Sequence, residues 1–165
     1  MKPLFIAGAF CLTLSLTVLA QAQPPSTDSA ASKPIGQRNL AQEEKNRALV
    51  IEFYTAVLSH RNVDLAYRYL SEDYIQHNPF AATGREAFVD YFRDYFARYP
   101  QAESHIIRTA TDGNLVYLHV FAKNDPQDIG RAVVDILRVD NGKIVEHWDV
   151  VQPVPQESAN QNGMF

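Results

Sequence analysis

The stretch that most restricts what this chain can fold into is Arg131 to Gln152, RAVVDILRVDNGKIVEHWDVVQ. Its first arm, AVVDILRV, is β-branched and apolar apart from Asp135, and its second, KIVEHWDVV, carries Glu146, His147, Trp148 and Asp149 in mid-strand. Asp140-Asn141-Gly142 between them signals a hairpin, because Gly142 takes the left-handed conformation that such loops need. Acids and a histidine inside long strands are costly to bury unless they are paired or chemically employed. Loop length decides which of them meet. A two-residue loop pairs Val139 with Ile144 and sets Asp135 opposite Trp148. A three-residue loop, closed by Gly142 as a bulge, pairs Asp135 with His147 and Val133 with Asp149. The second is expected, since three-residue hairpins favour a type I turn followed by glycine. His147 and Asp149 share a face in either case. The competing reading is a solvated sheet face with surface ion pairs.

The 165 residues suffice for one domain with a genuine core. Residues 1–22 read as a signal peptide: Lys2, the apolar run LFIAGAFCLTLSLTVLA, then the small-x-small pattern Ala20-Gln21-Ala22. Export to the periplasm or the exterior is the expectation, with no membrane association after cleavage. The single cysteine, Cys11, lies in that segment, so the mature chain has no thiol for a disulfide, a nucleophile or a metal. Without Lys2 the 15 basic residues become 14 against 19 acidic ones, a net charge of −5. With no basic cluster, that balance argues against a nucleic-acid partner.

Residues 23–38, rich in Pro, Ser, Ala and Gln, read as a flexible leader. Asn39 can cap a helix running to about His60, with Leu49, Phe53 and Val57 at helical spacing and Val50, Tyr54 and Leu58 widening the stripe. Asp64 is expected to cap a second, shorter helix. Tyr74, Ile75 and His77 form a short extended piece ended by Asn78-Pro79. Thr83 to Glu86 matches a capping box opening a third helix, whose aromatic flank (Phe88, Tyr91, Phe92, Tyr95, Phe96, Tyr99) reads as core and which Pro100 stops. Strands follow at about 103–111, 115–122, 130–139 and 143–152. The domain therefore spans 39–152, and the tail 153–165 has no periodicity. Helices first and a strand meander after predicts an α+β fold, about three N-terminal helices packed on an antiparallel sheet. If that sheet curves strongly, it and the helices enclose a cone-shaped cavity.

The motifs YIQHNP, GREAFVDYF, AVVDILRVDNGKIVEHWDVVQPVP and SAN…MF, spanning most of residues 40–165, resemble the NTF2-like superfamily and within it the SnoaL-like branch. That resemblance implies the NTF2-like cone and a cofactor-free acid/base chemistry of the aldol-condensation or polyketide-cyclase type. It places Asp135, in DILRV, at the position of the isomerase aspartate that steadies an enolate oxygen. Asp149, beside Trp148, matches the last-strand acid of the cyclases, with His147 as its neighbour. The isomerases' general-base aspartate has no identifiable counterpart here, so steroid isomerisation is not implied.

Such a reaction needs a base to take a proton α to a carbonyl and a donor to hold the enolate oxygen. Asp149 is the expected base, His147 its partner or the proton donor, and Asp135 the oxyanion donor. Tyr74, His77, His119 and Trp148 are expected to line the pocket. No cofactor is expected, and no metal, because no H-x-H or H-x-x-x-H pair is present. The partner is a small apolar ligand or substrate, and a homodimer is expected. The competing readings on the same fold are a non-catalytic ligand-binding module and an interaction domain that dimerises through the sheet.

Overall fold

The computed structural model describes residues 38–165. The expected signal peptide, Cys11 and the leader up to residue 37 lie outside the described residues. Helix α1 (Leu40–Phe53) begins where the Asn39 side chain accepts from the Gln42 N–H at 3.1 Å, the cap its sequence calls for. Tyr54–Ser59 continues it in π-helical form up to His60. Val50, Phe53, Tyr54 and Val57 are buried, so the stripe read from spacing is the packed face. A 3-10 turn, Val63–Leu65, and the single-turn helix α2 (Ala66–Tyr69) lead into strand β1 (Leu70–Gln76), and α3 spans Arg85–Arg98.

Strands β2 (Glu103–Asp112), β3 (Leu115–Lys123), β4 (Arg131–Asp140) and β5 (Lys143–Pro153) form an antiparallel meander. The sheet order is β1-β5-β4-β3-β2, and β1 runs parallel to β5. The sheet is thus mixed: the expected antiparallel pattern holds for β2 to β5, while β1 adds to the free edge of the last strand. Burial alternates residue by residue along β3, with Val116, Leu118, Val120 and Ala122 facing the helices. Fully burying one such side chain contributes about 1.5–3 kcal/mol. Glu43 on α1 is buried but satisfied, accepting from Arg38 and from the Gly113 N–H at 3.2 Å. The Arg38 hydrogen bond holds its carboxyl below the usual range.

Two expected caps are replaced. Gly84, at φ 107°, occupies the cap of α3; Thr83 Oγ1 instead accepts from the Gln76 N–H at 3.0 Å, and Glu86 accepts from the Tyr67 hydroxyl at 2.6 Å. The Thr83 hydroxyl is spent on stitching the loop to β1. Asn62 precedes the 3-10 turn without a side-chain cap, and Asp64 pairs with Arg93 at 2.6 Å.

The expected three-residue hairpin is also corrected. Asp140 pairs with Lys143 and Val139 with Ile144, so the loop is Asn141-Gly142 alone. Both residues have positive φ, 49° and 74°, the mirror-image turn whose twist matches that of the flanking strands. Then the register slips. Arg138 pairs with Glu146, leaving Val145 as a bulge, and Asp135 ends opposite Asp149, with His147 opposite Leu137. Asp135, His147 and Asp149 still share one face, because the bulge supplies the extra residue that the shorter loop lacks.

The tail does not enter the core. Val154 N–H donates to Gly130 O at 3.0 Å, and the Phe165 ring lies 5.6 Å from His119 and 5.1 Å from Phe121 on the sheet's outer face.

Candidate active site

Between α1, α3 and the inner face of the sheet lies a cavity of about 280 Å³. Its floor is set by strand alternation: Val133, Asp135 and Leu137 of β4 stand beside His147, Asp149 and Val151 of β5. The aromatic flank of α3 forms the opposite wall, through Phe88, Tyr91, Phe92, Tyr95 and Phe96. That stripe, expected to be core, does both: Phe88 is buried while Tyr91 is half exposed.

The three floor residues with ionisable groups converge. Asp135 is 8% exposed, and its Oδ1 lies 2.9 Å from His147 Nε2. One ligand atom from each of Asp135, His147 and Asp149 lies within 4.8 Å of the others, a spacing that would suit a cation and that no other such group among the described residues shares. Asp135 Oδ2 is buried with no hydrogen-bond partner. A buried carboxylate oxygen left open is expensive.

Two amides just past and at the end of β1 fix the proton inventory. The Gln76 Oε1 accepts from the Asn78 backbone N–H at 2.9 Å. A backbone N–H can only donate, so the atom facing it is the oxygen and the amide cannot be flipped. His147 Nδ1 lies 2.8 Å from the same oxygen and must therefore carry hydrogen. The Nε2–Asp135 contact then shares one proton, as imidazolium and carboxylate or as imidazole and carboxylic acid. Asn78 is oriented in the same way. Its Oδ1 accepts from the Phe80 N–H at 2.8 Å, which turns Nδ2 onto the Asp149 carboxylate at 2.9 and 2.7 Å. Asp149 is thereby held as an acceptor, apart from the proton stored across Asp135 and His147.

Two phenols complete the polar end. Tyr54 and Tyr74 both line the cavity. Burial pushes each hydroxyl well up, and the nearby charge of Asp135 adds to the effect. Both stay protonated through neutral pH. Tyr74 accepts from Gln76 Nε2 at 3.3 Å, leaving its own proton to donate.

Of the expected lining residues, Tyr74 faces the cavity and three do not. Trp148 sits between His147 and Asp149, so alternation turns it to the outer face, opposite Ile136. His77 follows it there, its ring stacked on Trp148 at 4.6 Å and its Nε2 2.8 Å from Glu146. His119, between the inward Leu118 and Val120, points outward under Phe165. Gln76, Asn78 and Tyr54 were missed by the sequence reading. The signal for the first two was present in Gln76-His77-Asn78: the extended piece that puts His77 outside puts its neighbours inside.

The profile of the SnoaL-like domain family matches residues 50–147, and the chain belongs to that family. Among solved structures it is similar to a provisionally assigned ketosteroid isomerase from Kribbella flavida, at 20% identity and a TM-score of 0.60, covering 75% of this chain and 90% of that one. A provisionally assigned polyketide cyclase from Acidithiobacillus ferrooxidans is similar at 15% identity and a TM-score of 0.56, covering 65% and 87%. An NTF2-like protein of unknown function from Cytophaga hutchinsonii matches at 20% identity and a TM-score of 0.56, covering 66% and 90%. These likenesses establish the NTF2-like α+β fold. No functionally curated protein matches the chain. Among the described residues no helix is long and apolar enough to cross a membrane.

Proposed function

We propose that this chain is a cofactor-free lyase or isomerase of the aldol-condensation or cyclisation type, acting after export on a small, largely apolar carbonyl compound. The observation that carries the reading is the split between an acceptor and a stored proton within one cavity. Asp149 takes the proton α to the carbonyl. The oxygen of the resulting enolate is held by the neutral phenols of Tyr54 and Tyr74, and takes up the proton shared across Asp135 and His147 as its charge develops. Such donors act where charge develops and need no reorganisation during the step. In a ring closure or condensation the enolate carbon then attacks a second carbonyl, whose oxygen takes up a proton.

The test is α-proton exchange. A panel of aryl ketones and β-dicarbonyl compounds is incubated with the protein in deuterated water, and deuterium uptake is followed by NMR. Asp149→Asn is expected to slow uptake by at least about 100-fold, the usual range for a general base. Unchanged uptake in that variant, or no uptake by any compound, would leave a ligand-binding module in its place.

The homodimer reading has its own support. The sheet's outer face exposes Val134 at 39% and Val150 at 67%, with Phe165 beside them at 40%, an apolar surface of the kind that marks association. Sedimentation of the mature chain decides it, a mass of one protomer at micromolar concentration ruling it out.

A further inference from the structure

The far end of the cavity floor carries a cation with free donors. Arg131 lies on the same face of β4 as Asp135 and lines the cavity. Four residues of strand separate the two by about 13 Å between backbones. Two of the five guanidinium N–H groups are used, one donating to Asn124 Oδ1 at 3.1 Å and one to the Tyr95 hydroxyl at 3.0 Å. Tyr95 in turn donates to Asn124 at 2.8 Å. This triangle fixes the guanidinium plane and leaves three N–H groups without a hydrogen bond among the described residues.

The neighbouring acids do not consume them. Asp128 comes to 3.7 Å from Arg131, but its Oδ2 accepts from the Asn124 N–H and its Oδ1 from the Gly130 N–H, both at 2.8 Å. Those backbone donors are the main cause that holds its carboxyl below the usual range, with the charges of Arg131 and Lys123 adding to them. Glu103, on the same rim, is tied to Lys123 and His105, each at 3.3 Å. Gly130 makes the arrangement possible: at φ 94°, a Cβ there would stand 2.4 Å from the Phe121 ring. The loop 124–130 is thus folded tightly so as to deliver Arg131 at the start of β4.

We propose that Arg131 is a subsite for a carboxylate, and that the substrate is an oxo acid: a carbonyl at the Asp149 end, an apolar body along Val133 and the α3 aromatics, and a carboxylate on Arg131. The carbonyl half of this assignment rests on the function proposed above. A planar guanidinium with its plane already fixed suits two-point recognition of a carboxylate. The carboxylate also sets direction, since a ligand anchored at Arg131 can place only its other end over Asp149.

The test uses calorimetric titration of the mature protein with three ω-oxo acids of increasing length, 4-oxo-4-phenylbutanoate, 6-oxo-6-phenylhexanoate and 8-oxo-8-phenyloctanoate, each beside its methyl ester. The best-fitting acid should bind about tenfold or more tighter than its ester, the scale of charge-assisted hydrogen bonds. Arg131→Gln should bring the acid down to the ester's affinity and leave the ester unchanged, and Arg131→Lys should retain part of the preference. Equal binding of acid and ester to the native protein, an equal loss of both in Arg131→Gln, or no binding of any compound overturns the subsite. Because the readout is an affinity ratio, it can succeed where α-proton exchange fails, or fail where exchange succeeds, so the two readings fall separately.

Discussion

Strand β5 contributes an acid–histidine contact to each of its faces. On the inner face His147 meets Asp135 at 2.9 Å; on the outer face Glu146 meets His77 at 2.8 Å. The lengths are alike and the surroundings are not. Glu146 spends both oxygens, one on His77 and one on Arg138 Nε at 2.6 Å, and its histidine is stacked flat on Trp148. Asp135 spends one oxygen and leaves the other buried and open. The outer contact is complete, and completeness serves stability. The inner contact is left incomplete at the floor of a cavity, where an unmet acceptor costs stability.

The comparison breaks most visibly if the two acids are neutralised in turn. Asp135→Asn should slow α-proton exchange by about 100-fold, because the shared proton is lost with its carboxylate. Glu146→Gln should leave the exchange rate at its native value. Equal effects on the two would mean that the inner contact has no special role. Next in size is Gln76→Leu, which removes the acceptor that fixes His147. Nitrogen-15 shifts of the ring should show the Nδ1–H form giving way to a mixture, with exchange slowed by on the order of tenfold. Gln76→Glu keeps an acceptor and should keep the tautomer. A ring that stays Nδ1–H in the leucine variant would refute the assignment.

The smallest effect is one of pH. Burial works against the charge of Glu146, but the hydrogen bonds from His77 and Arg138 outweigh it and hold the carboxyl below its ordinary value. A carboxyl depressed in the folded state adds stability above its unfolded value of about 4.3, and loses it as pH falls through the folded value. Urea midpoints should therefore place Glu146→Gln below the native protein near neutrality, with the gap closing below about pH 4. A gap independent of pH would assign Glu146 a packing role only.

The strands were legible because their residues alternate, and β2 to β5 fall within a residue or two of their expected bounds. The convergence of Asp135, His147 and Asp149 was legible from the same period. The path to it was not. A three-residue loop and a two-residue loop followed by a bulge put the same residues on the same face, and nothing local in Lys143-Ile144-Val145 announces the bulge. Lining residues were misjudged where residue type outweighed position: Trp148, His77 and His119 look like site residues but occupy outward places in the alternation. Gln76 and Asn78 are ordinary amides, and their importance lies in which backbone N–H faces them, a fact that only the folded chain contains. The caps of α2 and α3 were misread for a similar reason, because Asp64 and Thr83 find better partners in Arg93 and β1.

Val145 is an uncounted letter in a reading frame of two. The pairing with β4 passes over Val145 without counting it, and everything downstream is read in phase, histidine and acid inward, tryptophan outward. A chain lacking Val145 keeps that phase, since Ile144 and Glu146 then simply become neighbours on opposite faces. Loss of Trp148 garbles it, because His147 and Asp149 then become adjacent and face opposite ways. Tolerance to deletion along these few residues is therefore not graded by distance from the cavity; it is set by parity.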